Sequence, residues 1–117
     1  MEKEEAIRGL GALAHPGRLD VFRLLVQAGP DGMAAGEIAR TTGSPQSSLS
    51  ANLTILSNAG LIVSRRDGRS IIYRAAYEQM RGLLAFLMED CCAGKPEICA
   101  PLAAQASAGC AAEGARC

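Results

Sequence analysis

Five cysteines carry most of the reactive chemistry in this chain, and all lie within the last 27 of its 117 positions: Cys91, Cys92, Cys99, Cys110 and Cys117. Three of them fall inside the stretch Cys91-Cys92-Ala93-Gly94-Lys95-Pro96-Glu97-Ile98-Cys99. Thiolates select soft centres. Adjacent cysteines supply two sulfurs with almost no loop to close, and Gly94 and Pro96 interrupt a helix so that the chain can turn back and bring Cys99 as a third. Three sulfurs in one place suit a soft, pyramidal, three-coordinate centre such as As(III). Zinc or cadmium prefers four ligands, and the fourth is available from Cys110, Cys117 or a second subunit. Oxidation is a third reading, pairing Cys92 with Cys99 or linking Cys110 or Cys117, since a Cys91–Cys92 disulfide would close a strained ring. Cys110 and Cys117 sit in an Ala/Gly-rich tail and are read as uninvolved in the primary site.

Catalysis is the weaker reading of these thiols. His15 is the single histidine, and no nucleophile–base arrangement is evident near any Cys or Ser. The acidic Glu89-Asp90 pair precedes the thiols and disfavours their ionisation. The chain is therefore expected not to be an enzyme.

The elements that must position the cysteines are helices. The aromatic residues are only Phe22, Phe86, Tyr73 and Tyr77, so the core must be built from Leu, Ile, Val and Ala, a set that favours helices over a sandwich. Glu2 to Leu13 predicts a first helix with Ala6, Ile7, Leu10 and Leu13 near helical spacing. Pro16 opens a second, with Leu19, Phe22, Leu25 and Val26 as its stripe, ended by Gly29-Pro30-Asp31-Gly32. Met33 to Thr42 predicts a short third helix stopped by Gly43. Ser44 as N-cap and Pro45 as the first helical residue open a fourth, whose inner face is Leu49, Leu53 and Leu56 and whose stop is Gly60. Leu61 to Arg66 and Ser70 to Ala75 read as strands joined by an Asp67-Gly68 turn. Tyr77 to Met88 predicts a last helix, with Met80, Leu83, Leu84 and Leu87 on a stripe wide enough for a subunit interface.

A short helix, a glycine turn and a second, capped helix outline a helix-turn-helix, and the basic hairpin that follows reads as a wing. Net charge is zero, yet residues 61–75 hold four arginines and one aspartate, while residues 1–60 are net −1 and residues 76–117 net −2. The net positive charge is thus confined to the hairpin. Opposite the leucine face, the fourth helix presents Ser47, Ala51, Thr54 and Asn58, with Ser50 at the flank and Gln46 in the first turn. Small hydroxyl and amide side chains allow close approach to base edges in a major groove, and Gln can pair with adenine. Arg65, Arg66, Arg69 and Arg74 suit phosphates. The expected DNA contacts are Gln46, Ser47, Ser50, Thr54, Arg65, Arg66 and Arg69.

Residues 5–90 resemble the ArsR/SmtB family of winged-helix repressors. The resemblance rests on Leu13-Ala14-His15-Pro16-Gly17-Arg18-Leu19, Ser44-Pro45-Gln46-Ser47-Ser48-Leu49-Ser50, Leu56-Ser57-Asn58-Ala59-Gly60-Leu61 and Arg65-Arg66-Asp67-Gly68-Arg69-Ser70-Ile71-Ile72-Tyr73. It implies a homodimer formed by the first and last helices, binding to operator DNA without a cofactor, and repression relieved by ligand. Many arsenic-responsive members carry a Cys-x-Cys before the recognition helix, where this chain has Ala34-Ala35-Gly36-Glu37-Ile38. Others carry a vicinal Cys pair after the last helix and a third Cys a few residues on. That pattern implies Cys91, Cys92 and Cys99 as ligands for an As(III) inducer, with Sb(III) also possible.

The sequence thus predicts a mainly α fold with a β-hairpin, a homodimeric winged helix-turn-helix. Residues 1–90 form the DNA-binding and dimerisation domain, and 91–117 a tail carrying the inducer site. No apolar run approaches the roughly 20 residues of a membrane span. The acidic N-terminus lacks the order of a signal peptide, so a cytoplasmic protein is expected.

Overall fold

The computed structural model describes residues 1–89. Its elements are α1 (Lys3–Leu13), α2 (Pro16–Ala28), β1 (Met33–Ala34), α3 (Ala35–Thr42), α4 (Gln46–Asn58), β2 (Ile62–Asp67), β3 (Ser70–Ala75) and α5 (Tyr77–Leu87). Helices α2, α3 and α4 enclose a core of aliphatic side chains, with Leu25, Ile38 and Leu56 completely buried. Leu61, Ile62 and Ala75, at the base of the hairpin, close that core from the sheet side.

The sheet has three strands in the order β1-β3-β2, all antiparallel. Met33 and Ala34, expected to begin the third helix, instead pair with Tyr73 and Ile72 and form its edge. The preceding glycine explains the switch. Gly32 has φ 74°, and a Cβ there would collide with the Tyr73 carbonyl oxygen, so only a bare backbone can pass this close to β3. Helix α3 then starts two residues later than the periodicity predicts. The hairpin turn also shifts by one residue: Asp67, expected in the turn, pairs with Ser70, and the two-residue loop is Gly68-Arg69 with Gly68 at φ 63°. A glycine at the first loop position meets the positive-φ requirement of a tight hairpin without help from Asp67.

Helix α4 stops as its sequence predicts. The Leu61 amide bonds to the Leu56 carbonyl at 3.1 Å and the Gly60 amide to the Ser57 carbonyl at 3.0 Å, with Gly60 at φ 77°. This is a Schellman ending, and its usual apolar contact is supplied by the buried Leu56 and Leu61. The Ala76 amide donates to the Leu61 carbonyl at 2.8 Å and closes the hairpin where α5 begins. Tyr77 then pins α5 to the end of α2, its hydroxyl donating to the Val26 carbonyl at 3.1 Å.

Two helices turn differently from the predicted stripes. In α1 the buried residues are Ala6, Gly9 and Ala12, while Ile7 is 58% and Leu10 41% exposed. Small residues let α1 lie close over Leu61 and Leu83, which a Cβ on Gly9 would meet at 3.8 and 3.7 Å. In α2 Val21 takes the inner position with Phe22 and Leu25, and Leu19 faces outward. Among the described residues no helix is long and apolar enough to cross a membrane.

Candidate nucleic-acid interface

The α3–α4 pair is joined by a turn that its own side chains hold. Gly43 ends α3 in the left-handed region at φ 69°, and its amide returns to the Ala39 carbonyl at 2.9 Å. Thr42 Oγ1 bonds the Ile38 carbonyl at 2.8 Å and lies 3.0 Å from Ser44 Oγ. Ser44 is therefore occupied within the turn and does not cap α4. The cap position falls on Pro45, with no side-chain cap bond, and the first helical residue is Gln46.

Helix α4 buries Leu49, Asn52, Leu53 and Leu56. Its outer side exposes Gln46, Ser47, Ser50, Ala51, Thr54 and Asn58, so four of the sequence-predicted contacts share one solvent-facing surface. The Thr54 hydroxyl donates to the Ser50 carbonyl at 2.9 Å, which fixes its rotamer and leaves its oxygen as an acceptor. Ile55, also exposed, adds an apolar group beside this surface.

The wing arginines divide by strand register. Arg65 pairs with Ile72 and Arg66 with Ile71, so the two project from opposite faces of the hairpin. The Arg65 Nη2 donates to the Asp31 carbonyl at 3.0 Å, reaching across β3 to the loop before β1. It thereby fastens the sheet edge as well as carrying charge. Arg66 and Arg69 are exposed near and within the turn. Arg74 bonds the neighbouring Ala75 carbonyl at 3.4 Å.

Two positions escaped the sequence reading. Asn52 is 8% exposed, and its spacing of three from Leu49 and four from Leu56 was the available signal that it faces inward. Arg65 carries no sequence mark that distinguishes it from Arg66, because its carbonyl partner lies 34 positions away. Cys91, Cys92 and Cys99 lie outside the described residues. So do Cys110, Cys117 and the rest of the 91–117 segment.

A helix-turn-helix domain family matches residues 13–65. Over 89 residues the chain is 36% identical to the HTH-type transcriptional regulator YgaV of Escherichia coli (strain K12), covering 76% of this chain and 88% of that protein. The solution structure of the homodimeric winged helix-turn-helix DNA-binding domain of Mb0332 from Mycobacterium bovis, a possible ArsR-family transcriptional regulator, matches with a TM-score of 0.61. Its identity is 35%, over 73% of this chain and 76% of that one. The chain belongs to the ArsR family of winged helix-turn-helix transcriptional regulators. Within that family it is also similar to a possible transcriptional regulator for arsenical resistance, with a TM-score of 0.60 and 29% identity over 68% of this chain and 79% of that structure. As an ArsR-family chain it is a DNA-binding regulator rather than an enzyme, with α3–α4 as the helix-turn-helix and β2–β3 as the wing.

Proposed function

We propose that this chain is a metalloid-responsive repressor. A homodimer built on α1 and α5 holds operator DNA through Gln46, Ser47, Ser50 and Thr54 of α4 and through Arg65, Arg66 and Arg69 of the wing. It lets go when Cys91, Cys92 and Cys99 take up As(III), or Sb(III). The observation that carries the reading is the outward face of α5. Leu84 and Leu87 are 50% and 54% exposed in the protomer, Ile7 and Leu10 of α1 are exposed as well, and Cys91 follows Leu87 by four positions. Covering such half-exposed side chains stabilises a dimer by on the order of 1 kcal/mol each. The thiols therefore follow directly on the helix that sets the subunit geometry, where a bound ligand can bias the relation of the two winged heads. The homodimeric state of the Mb0332 domain supports a dimer, and the name of the neighbour, a possible regulator for arsenical resistance, supports a metalloid as the inducer.

Release requires that the DNA-incompetent state bind the metalloid more tightly. Inverting the bound fraction from 99:1 to 1:99 takes a preference of about 10⁴-fold. The test is a DNA-binding titration with arsenite, the chain being kept reduced by a phosphine. Arsenite should release DNA from the wild-type chain, and the Cys91→Ser, Cys92→Ser, Cys99→Ser triple variant should keep DNA bound. Release from the triple variant refutes the ligand assignment. Release by peroxide once the phosphine is removed, but not by arsenite, would make the switch a redox one, and release by zinc or cadmium alone would mark a four-coordinate site.

A further inference from the structure

Four consecutive residues, His15 to Arg18, bring three helices to one point. Arg18 reaches back from the first turn of α2, its Nε donating to the Ala12 carbonyl at 2.6 Å and its Nη2 to the Gly11 carbonyl at 3.5 Å. A cation with hydrogen bonds to spare thus finishes α1, where carbonyls lack helical partners. The imidazole of His15 begins α2: its Nδ1 accepts from the Gly17 amide at 3.1 Å and the Arg18 amide at 3.4 Å. Gly17 lies between these two devices and against α4. A Cβ on it would sit 3.0 Å from Nδ2 of Asn52, and 3.3 and 3.4 Å from Cε1 and Nδ1 of His15.

A glycine is a less favourable helical residue than alanine. Positive φ does not explain it, because the positive-φ glycines are 29, 32, 43, 60 and 68. What Gly17 supplies is space, and the group that fills the space is the amide of Asn52, a polar side chain buried on the inner side of the recognition helix. At the same point α1 is tied down by Arg18. Its eleven residues make a helix about 16 Å long, with Ile7 and Leu10 exposed on its outer side.

We propose that the Gly17–Asn52 contact sets the angle of α4 against the α1–α2 corner. Gly17 and Asn52 are then positioning residues for DNA recognition, and His15 and Arg18 hold the corner that Gly17 occupies. The proposal rests on α4 as the DNA-recognition helix and is independent of the thiols, so its test uses no inducer and its failure leaves the inducer reading standing. A misplaced α4 loses base readout, whereas phosphate contacts tolerate a small tilt.

The experiment takes the full chain and a duplex that the wild-type chain selects from a random-sequence pool, with an unselected duplex as the second probe. Gly17→Ala should bind the selected duplex about tenfold more weakly, hold the unselected duplex within about twofold, and melt no lower than wild type. Combining it with Asn52→Ala makes room for the new methyl and should restore most of the lost selectivity, a coupling that simple loss of stability would not produce. Asn52→Gln presses the same contact from the α4 side and should reproduce the selectivity loss even if Gly17→Ala does not fold. Wild-type selectivity in Gly17→Ala or in Asn52→Gln overturns the proposal. So does a double variant no better than Gly17→Ala, or a fall in melting temperature without a fall in selectivity.

Discussion

On α4 the leucines turn inward and the small polar side chains outward, with Ile55 the one large apolar residue left exposed; on α1 small residues turn inward and Ile7 and Leu10 outward. Leu49, Leu53 and Leu56 are buried under a surface of Gln46, Ser47, Ser50 and Thr54, while Ala6, Gly9 and Ala12 are buried under Ile7 and Leu10. Helix α5 follows α1, with Leu83 inside and Leu84 and Leu87 outside. A mainly polar outer face over a mainly apolar inner one is stable in water and suits a polar partner. An apolar outer face is incomplete in water and needs a protein surface to cover it. On the proposed reading the two faces take different partners, DNA on α4 and a second subunit on α1 and α5, and each can be attacked without the other.

The largest effect is expected on the subunit side. Leu84→Glu with Leu87→Glu places charge on the face proposed for dimerisation. Sedimentation should show monomers at micromolar protein, and affinity for a two-half-site duplex should fall by at least about 100-fold as joint binding is lost. A dimer that survives both substitutions would break the assignment of the two faces.

An intermediate effect is expected on the wing. Arg66→Ala with Arg69→Ala should leave the dimer intact and lower the slope of log affinity against log salt by about 0.9 for each phosphate contact removed. Affinity should drop by roughly tenfold near physiological salt, uniformly across sequences. Arg65→Ala should behave differently, because that side chain fastens the Asp31 loop: part of its effect should appear as about 1 kcal/mol of lost stability. An unchanged salt slope in the Arg66, Arg69 variant would show that the wing does not touch the backbone.

The smallest effect sharpens the recognition side. Gln46→Ala should leave dimer and melting temperature unchanged and should relax the preference at one base pair of each half-site, by roughly 1 kcal/mol measured against a panel of single-base variants. Uniform weakening across the panel would move Gln46 from base reading to backbone contact.

Local signals were legible wherever neighbouring residues decide the structure. The glycine stop of α4, Pro16 at the start of α2 and the pairing of β2 with β3 all depend on groups within a few positions of each other. Where a distant segment intervened, the sequence misled. Met33 and Ala34 have helical neighbours in the chain, but β3 offers them strand partners roughly 40 positions on, and ladder bonds outweigh a weak propensity. One miss was local: Ser44 has the right type for an N-cap, but Thr42, two positions before it, holds its hydroxyl in the turn. The Arg65–Asp31 bond and the direction of α1 likewise depend on what lies across the fold.

Read alone, the sequence determined the chemical inventory. It separated a thiol-free segment with a helix-turn-helix outline from a tail holding five cysteines, and it confined the net positive charge to one hairpin. These follow from residue type and order, which need no fold to be read. Only the tertiary structure decided which apolar residues α1 leaves uncovered, which wing arginine is committed to the protein, and that Asn52 turns inward to meet Gly17. Each is settled by the arrival of a partner from another element, and periodicity along one helix carries no record of what packs against it.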